Sequence, residues 1–371
     1  MFGKLFKKTE SLLAIDIGST SIKIVELNLK GERPQLVNLA VASIAPGTVS
    51  NHTVQKPELV AEQIGALLEA NNIDELRVIT ALPGPSVFTK RIKMPRSSPS
   101  ELEAAIQLEA GGFIPHNIDA VKLDFQVLKA FGKNQLEVLV AAVKNEIIDS
   151  FVDSIALAGL EAAIVDVDYF ALQNIFESAY PELISKTTAL INVGQRHTSI
   201  CICKDKESLF TGDISAGGRA LDDALQHELS LSPEKIEAVK KCLGKKNPYE
   251  GLPSGIDARA VENIVTSAAE EMAVEFNRQL SFFWNASGAD EGIEQIFVAG
   301  GMARLPGLVE NLGIHTGLSC AVLDPFKGIE VGDDFDSEYL AEMGPPAAVA
   351  IGLALRTPGD KALENNWADE D

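Results

Sequence analysis

The chain has 371 residues, of which 46% are hydrophobic and 23% charged, so it carries enough apolar material for a globular core. Acidic residues outnumber basic ones by 53 to 32, and the resulting net charge of -21 argues against a nucleic-acid partner, because nucleic-acid binding depends on Lys and Arg neutralising phosphates. No apolar run approaches the roughly 20 residues that a membrane-spanning helix needs.

The cysteines favour a cytosolic protein, the start of the chain is not predicted to be a secretory signal, and its end is not predicted to fold. Met1–Lys8 is basic but has no long apolar run and no cleavage site, so we do not interpret it as a secretory signal. All four cysteines sit in apolar runs, which is typical of buried, reduced thiols. Residues 358–371 are acidic with little to bury, and we expect a disordered tail.

The first predicted element is a hairpin. Leu12–Leu27 alternates β-branched residues around a Gly-Ser-Thr turn, which predicts strand, turn and strand. An amphipathic helix over Glu58–Asn71 and a short buried strand over Val78–Leu82 follow.

The next segment predicts a small module. Its order of strand, helix, strand, strand, helix and strand is that of a ferredoxin-like unit. The six elements are predicted at Val87–Met94, Ser100–Glu109, Val121–Val127, Leu136–Val143, Asn145–Ala158 and Ala162–Val167.

The second half opens with another strand-turn-strand pattern. A Gly-Gly loop, two helical stretches, a buried strand and a helix rich in small residues complete it. These elements are predicted at Ala189–Cys203, Ser215–Arg219, Ala220–Gly244, Val261–Trp284, Ile296–Val298 and Pro345–Leu355.

The two hairpins form an internal repeat. Asp16-Ile17-Gly18 is matched 176 positions later by Asn192-Val193-Gly194. If the second turn is two residues longer, Thr20-Ser21-Ile22 aligns with Thr198-Ser199-Ile200. We expect a duplicated domain that faces itself across a cleft.

Each turn has the chemistry of a phosphate site. Successive backbone N–H groups and a hydroxyl bind anionic oxygens, and Gly18 allows a phosphate to approach closely. Asp16 offers Mg²⁺ a hard oxygen ligand, and Lys23 can reach phosphates as a mobile charge. Either turn alone is also explained as a plain hairpin, but the pair, with a third glycine turn at Ala299-Gly300-Gly301, favours a nucleotide site. The sequence has no P-loop and no dinucleotide-binding glycine motif.

Three segments resemble the nucleotide motifs of the actin-like ATPase superfamily. Leu13–Glu26, Ala189–Ile202 and Gln295–Gly307 are similar to its phosphate-one, phosphate-two and adenosine motifs, in that order. Within the superfamily the chain resembles the PilM-type proteins of type IV pilus assembly, which belong to a branch similar to the division protein FtsA. Glu101–Pro115 and Gly344–Arg356 are among the stretches that carry this likeness.

The resemblance implies an α/β fold in which a duplicated actin-like (ribonuclease H-like) unit forms two lobes, with a ferredoxin-like inserted subdomain. The first lobe is expected to comprise residues 9–85, 166–187 and 344–357, and the insertion residues 86–165. The second lobe is expected at 188–230 and 293–343, with a helical nucleoside-side subdomain at 231–292.

The resemblance also implies which residues contact ATP and Mg²⁺. Phosphate contacts are expected from Gly18, Ser19, Thr20 and Lys23 in one half, and from Gly194, Gln195 and Thr198 in the other. Contacts on the nucleoside side are expected from Gly217, Gly218, Glu237, Lys240, Gly300, Gly301 and Met302. For Glu237 and Lys240, a solvated helix face is the alternative.

One departure from the family pattern affects catalysis. The chain has Asn192 where the family has Asp; this amide can still bond a water in the magnesium shell, but it carries no charge. Asp16 is the expected metal ligand, and Asp166 or Asp168 the candidate that orients the attacking water. ATP binding with slow or absent hydrolysis is therefore expected.

The function implied by the resemblance is a cytoplasmic ATP-binding scaffold. Such proteins bind the N-terminal tail of a PilN-type membrane protein and link it to the pilus motor ATPases, so that contact with the inner membrane is indirect. Homo-oligomer formation stays open. The alternatives are an FtsA-like division protein, which anchors itself by a basic amphipathic helix, and a small-molecule kinase of the same fold.

Overall fold

The computed structural model describes residues 12–131, 134–245, 247–287 and 292–359. The predictions made for Met1–Lys8 and for nearly all of the acidic tail lie outside these residues. Within them, no helix is both long and apolar enough to cross a bilayer.

The secondary structure alternates between strands and helices. The strands are β1 (Leu13–Ile17), β2 (Ser21–Asn28), β3 (Gln35–Ser43), β4 (Val49–Ser50), β5 (Thr53–Val54), β6 (Arg77–Leu82), β7 (Val87–Pro95), β8 (Val121–Phe131), β9 (Gln135–Lys144), β10 (Glu161–Val167), β11 (Thr188–Val193), β12 (Thr198–Lys204), β13 (Glu207–Ile214), β14 (Gln295–Ala299) and β15 (Ser319–Val322). The helices are α1 (Pro57–Ala70), α2 (Pro99–Ala110), α3 (Asn145–Leu157), α4 (Asp168–Ala179), α5 (Arg219–Leu229), α6 (Pro233–Leu243), α7 (Ala258–Ser287), α8 (Leu308–Thr316) and α9 (Ser337–Ala354).

Two five-stranded sheets repeat the same topology. The first has the order β10-β6-β1-β2-β3 and the second the order β15-β14-β11-β12-β13. In each, the first three strands along the chain pair antiparallel and the other two join in parallel. The predicted duplication therefore extends from the hairpins to both whole sheets.

The strand register corrects the predicted alignment of the repeat. Ile17 faces Ile22 across the first turn, and Val193 faces Thr198 across the second, so four residues lie between the facing pair in each case. Thr198 corresponds to Ile22 and not to Thr20, and the second turn is not longer. The alignment based on similar residue types was wrong because a turn is defined by the residues that face each other across the two strands, and not by the side chains that the two copies share.

The inserted module has the predicted order of elements but a smaller sheet. Its three strands lie in the order β7-β9-β8, and α2 covers one face. Strand β10 pairs in parallel with β6 in the first sheet, and α3 buries Phe151 and Ile155 in the core of that lobe. The last helix and strand predicted for the module thus pack with the first lobe.

Two helices form the centre of the molecule. Helix α4 packs against α9, and each contacts strands of both sheets. The last helix begins at Ser337, eight residues before the predicted start at Pro345, and Asp336 caps it by accepting a 2.8 Å hydrogen bond from the N–H of Glu338. Two consecutive prolines misled the prediction, since proline usually marks a helix start, whereas here both lie inside a buried helix.

Candidate nucleotide-binding cleft

A cavity of about 510 Å³ lies where the turn between β1 and β2 faces the turn between β11 and β12. This volume falls within the range of small-molecule sites, roughly 300 to 1,000 Å³. Most of the residues predicted to contact nucleotide line it: Asp16, Gly18, Ser19, Thr20, Lys23, Asn192, Gly194, Gln195, Glu237, Lys240, Gly300, Gly301 and Met302. Folding therefore brings together four segments that are far apart in sequence.

The first turn carries an ion pair. Asp16 and Lys23 are facing residues of β1 and β2, and the Lys23 Nζ lies 3.0 Å from the Asp16 Oδ2. A Cβ atom at Gly18 would lie 3.2 Å from both that Nζ and the Ser21 carbonyl oxygen. Glycine at this position thus keeps the approach to the charged pair open.

A polar network holds the second turn. Lys240 of α6 donates to the Gln195 Oε1 at 3.0 Å and lies 3.2 Å from Asp222, while the Gln195 Nε2 donates to Asp222 at 2.6 Å. Burial raises the pKa of Asp222, although the Lys240 ammonium opposes this shift. Glu237 also pairs with Lys240, at 2.9 Å, but is more than half exposed. Lys240 is therefore largely buried against the turn and is not part of a solvated helix face.

The adenosine-type turn is shaped by close backbone packing. Gly300 has φ +93°, and a Cβ there would lie 2.5 Å from the Val193 carbonyl oxygen and 2.6 Å from the Asn192 Oδ1. Its N–H donates to the Pro345 carbonyl at 2.8 Å. Only glycine fits this conformation and space, so the turn, β11 and α9 form one wall of the cleft.

Comparison with known proteins identifies the family. The family model described as "Type IV pilus assembly protein PilM" matches residues 14–358. The chain belongs to the PilM family.

Solved structures agree with this assignment. A structure described as a "PilM-PilN type IV pilus biogenesis complex" is 27% identical with a TM-score of 0.81, covering 94% of this chain and 98% of that one. The ethanolamine utilization protein EutJ from Carboxydothermus hydrogenoformans, at 15% identity and a TM-score of 0.54, covers 93% of this chain and 89% of its own and shares the fold alone. The expected two-lobe, actin-like fold is confirmed, and the family match favours pilus assembly over the division-protein and kinase hypotheses.

Four predicted site residues of this PilM-family chain lie behind the cavity wall. The Thr198 side chain is fully buried, and its hydroxyl donates to the Ala216 carbonyl at 2.8 Å. Asp166 is buried in an ion pair with Arg356 near the end of α9. Gly217 and Gly218 lie in the loop before α5 and do not line the cavity.

The Gly-Gly loop supports the second turn from outside the cavity. The N–H of Gly218 donates to the Gly194 carbonyl at 3.0 Å. A Cβ at Gly217 would lie 2.5 Å from that same oxygen, and one at Gly218 would lie 2.7 Å from the Met302 sulfur. These glycines thus fix the turn that lines the cavity.

The other carboxylate named from the sequence faces the cavity. Asp168 begins α4, and its oxygens accept hydrogen bonds of 3.0 Å from the Gly84 N–H and from the Ser199 hydroxyl. Burial, opposed by the Ser199 bond and reinforced by the carboxylate of Asp16, raises the pKa of Asp168 to about 7. Of the two candidates for orienting water, Asp168 is the one that the structure brings to the cleft.

Sequence reasoning missed several residues that line the cavity or bond to residues at its wall. Asp222 follows the Gly-Gly loop on α5 with no motif of its own, and Ser199 is recognisable only as the strand partner of Asn192. His52 lies in the short β4–β5 hairpin, which no pattern predicted, and contacts His197 of the second turn. For these residues the signal exists only in the pairing of strands and lobes.

Proposed function

We propose that this chain is an ATP-binding scaffold of the type IV pilus assembly platform and that it holds the N-terminal tail of a PilN-type membrane protein. The observation that carries the proposal is the family match over residues 14–358, together with the likeness to a PilM-PilN complex along nearly the whole of both chains. In this role the protein lies at the cytoplasmic side of the inner membrane through its partner and links that partner to the motor ATPases.

The cleft fits a magnesium nucleotide. Glycines at which a Cβ would be crowded, Gly18 and Gly194, line the two turns, and Asp16 and Asn192 supply hard oxygens at the wall. Asp16 would hold Mg²⁺ and Asn192 would contact it through water, while Mg²⁺ would neutralise phosphate charge. Lys240 and Glu237 would face the nucleoside, next to Met302.

Hydrolysis is expected to be slow. Turnover needs a placed water and charge stabilisation as the phosphate bond breaks, whereas binding rests on many phosphate contacts. Asn192 contributes no negative charge to the metal, and both oxygens of Asp168 already accept hydrogen bonds, from the Gly84 N–H and the Ser199 hydroxyl, so this carboxylate is not free to orient an attacking water. The nucleotide therefore acts as a bound structural ligand of the scaffold.

The inserted module is the proposed partner-binding part. An extended peptide gains affinity from backbone hydrogen bonds together with pockets for alternate side chains. Strand β8 is one of the two outer strands of the module's sheet, and the aromatic side chains of Phe88 and Phe113 stack beside α2 with their ring centres 6.4 Å apart. These features offer both elements of peptide recognition next to the first lobe.

Capture by an immobilised peptide tests the scaffold function. Beads carrying about thirty N-terminal residues of a PilN-type protein, long enough for an extended strand and its anchors, should retain the purified chain. Beads with the same residues in scrambled order serve as the control. Equal retention on both beads, or none on either, would contradict the proposal.

A further inference from the structure

A hairpin of the first lobe reaches across the phosphate end of the cleft. Strands β4 and β5 are joined by Asn51 and His52, whose φ values of 51° and 63° give the tight turn that suits a two-residue hairpin. Val49 and Val54 are buried at its base, and the Val54 N–H donates to the Ser150 hydroxyl at 3.2 Å. The hairpin is thus fixed to the first lobe and presents His52 at its tip.

The tip touches the second lobe at a phosphate turn. The rings of His52 and His197 meet edge to face, with their centres 5.2 Å apart. His197 closes the second turn, since its carbonyl accepts a 3.1 Å hydrogen bond from the Gly194 N–H. Both histidines line the cavity, so a contact between the two lobes forms part of its wall.

At this end of the cleft the lysines are already paired with carboxylates, whereas the histidines can still form hydrogen bonds. Lys23 is engaged by Asp16, and Lys240 by Asp222 on the nucleoside side, while Arg196 of the second turn lines the cavity with an exposed side chain. The Nδ1 of His52 is buried and has no hydrogen-bond partner among the described residues. Because a buried N–H without an acceptor is costly, the neutral His52 ring carries its proton on the other nitrogen, Nε2, and Nε2 is the atom suited to donate to a phosphate oxygen at the cavity wall.

We propose that His52 and His197 together contact the terminal phosphate of the nucleotide and make the cleft prefer a nucleoside triphosphate to a diphosphate. The proposal rests on the nucleotide-binding function proposed above. The proposed nucleoside contacts lie on α6 and after β14, whereas the histidines lie at the phosphate turns, so the phosphate farthest from the base would reach them. A diphosphate leaves this position empty and forms neither contact.

Two substitutions separate phosphate contact from packing. His52→Gly removes the ring and suits the turn, because Asn-Gly is the preferred pair for this hairpin type. His197→Phe keeps an aromatic ring against the other lobe and removes both nitrogens. His116→Asn, at an exposed histidine of the inserted module, is the matched control.

The test is isothermal titration of the full chain with Mg-ADP and with the magnesium complex of AMPPNP, a non-hydrolysable triphosphate analogue. Both cleft variants should lose about tenfold or more in AMPPNP affinity, as expected for hydrogen bonds to a charged group, and should keep their ADP affinity within about twofold. Unchanged melting without nucleotide establishes that each variant is folded. Equal losses for both nucleotides, or full AMPPNP affinity in His197→Phe, would overturn the proposal while leaving nucleotide binding intact. Absence of binding by the unmodified chain would overturn the nucleotide function as well.

Discussion

The Ser199 hydroxyl donates a 3.0 Å hydrogen bond to the carboxylate of Asp168, and this bond joins the second sheet to the first residue of the central helix α4. Ser199 faces Asn192 in the strand pair, and the Asn192 Nδ2 lies 3.5 Å from the Ser199 Oγ. Position 192 carries no carboxylate, but the carboxylate of Asp168 lies close to it, bonded to the same Ser199 hydroxyl. Asp168 reaches the cleft from α4, the helix that contacts both sheets.

The first prediction concerns the pH dependence of stability through Asp168. Its pKa is about 7 in the folded protein and about 3.9 in an unfolded chain, so between these values the folded state holds a proton that the unfolded state has released. Stability therefore falls as pH rises from about 4 to 7, by on the order of 4 kcal/mol. Asp168→Asn should remove this loss, and its stabilising effect should be about 2 to 3 kcal/mol larger at pH 8 than at pH 5.

Urea unfolding in EDTA without nucleotide measures this difference. Asp166→Asn is the matched control, because it weakens the buried ion pair with Arg356 and should destabilise at both pH values. A pH-independent effect of Asp168→Asn would show that this carboxyl group is already ionised at pH 5.

The second prediction concerns Asp16 and the metal. Mg-ATP at a hundred times its dissociation constant should stabilise the folded state by about 2.7 kcal/mol, and so raise the melting temperature by on the order of 5 °C. Asp16→Ala should abolish the rise because it removes the proposed metal ligand. Asp334→Asn, at an exposed acid on another surface, should preserve it. A full rise in Asp16→Ala would place the metal elsewhere.

The third prediction concerns Asn192 and turnover. Asn192→Asp restores a charged oxygen beside the metal, so it should raise the rate of phosphate release while ATP affinity stays within a few-fold. Steady-state phosphate release and titration calorimetry measure the two quantities separately. Brisk hydrolysis by the unmodified chain that the substitution leaves unchanged would contradict the prediction.

The fourth prediction concerns the inserted module. Val87 and Val143 are facing residues of β7 and β9, so their Cα atoms are close enough for a short Gly-Ser link to replace the residues between them. This deletion should preserve the nucleotide-induced rise in melting temperature and abolish capture by the PilN-type tail. Capture by the folded deletion variant would locate the peptide site outside the module.

The longer deletion of residues 86–165 is the contrasting case. It removes α3, whose Ile147, Phe151 and Ile155 are buried in the core of the first lobe. Each such loss costs about 2 to 5 kcal/mol, and together they approach the whole stability of a domain. We expect this variant to be insoluble, whereas the shorter deletion variant is soluble, and gel filtration of both distinguishes the outcomes.

The sequence by itself determined the local elements and the chemistry of the turns. The hairpin around Gly18, the strand before Gly300 and the strand-helix order of the inserted module all follow from patterns within a few residues. Such patterns are legible because strand alternation, turn glycines and amphipathic faces act over short stretches of chain. The contacts predicted in the two hairpin turns were recognisable for the same reason, since they belong to two copies of one local motif, whereas their meeting at one cavity depends on the tertiary structure.

Only the tertiary structure decided which elements belong together. No local sequence feature of strand β10 indicates that it pairs with β6 and not with the module's sheet. The motif predicts Thr198 as a phosphate ligand, but in the paired strand its side chain is buried and bonded to the Ala216 carbonyl. Asp168 and His52 reach the cleft through a helix start and a hairpin tip that carry no motif. Their positions depend on packing between residues that are far apart in the chain. The free energy of that packing cannot be inferred from any single segment of the sequence.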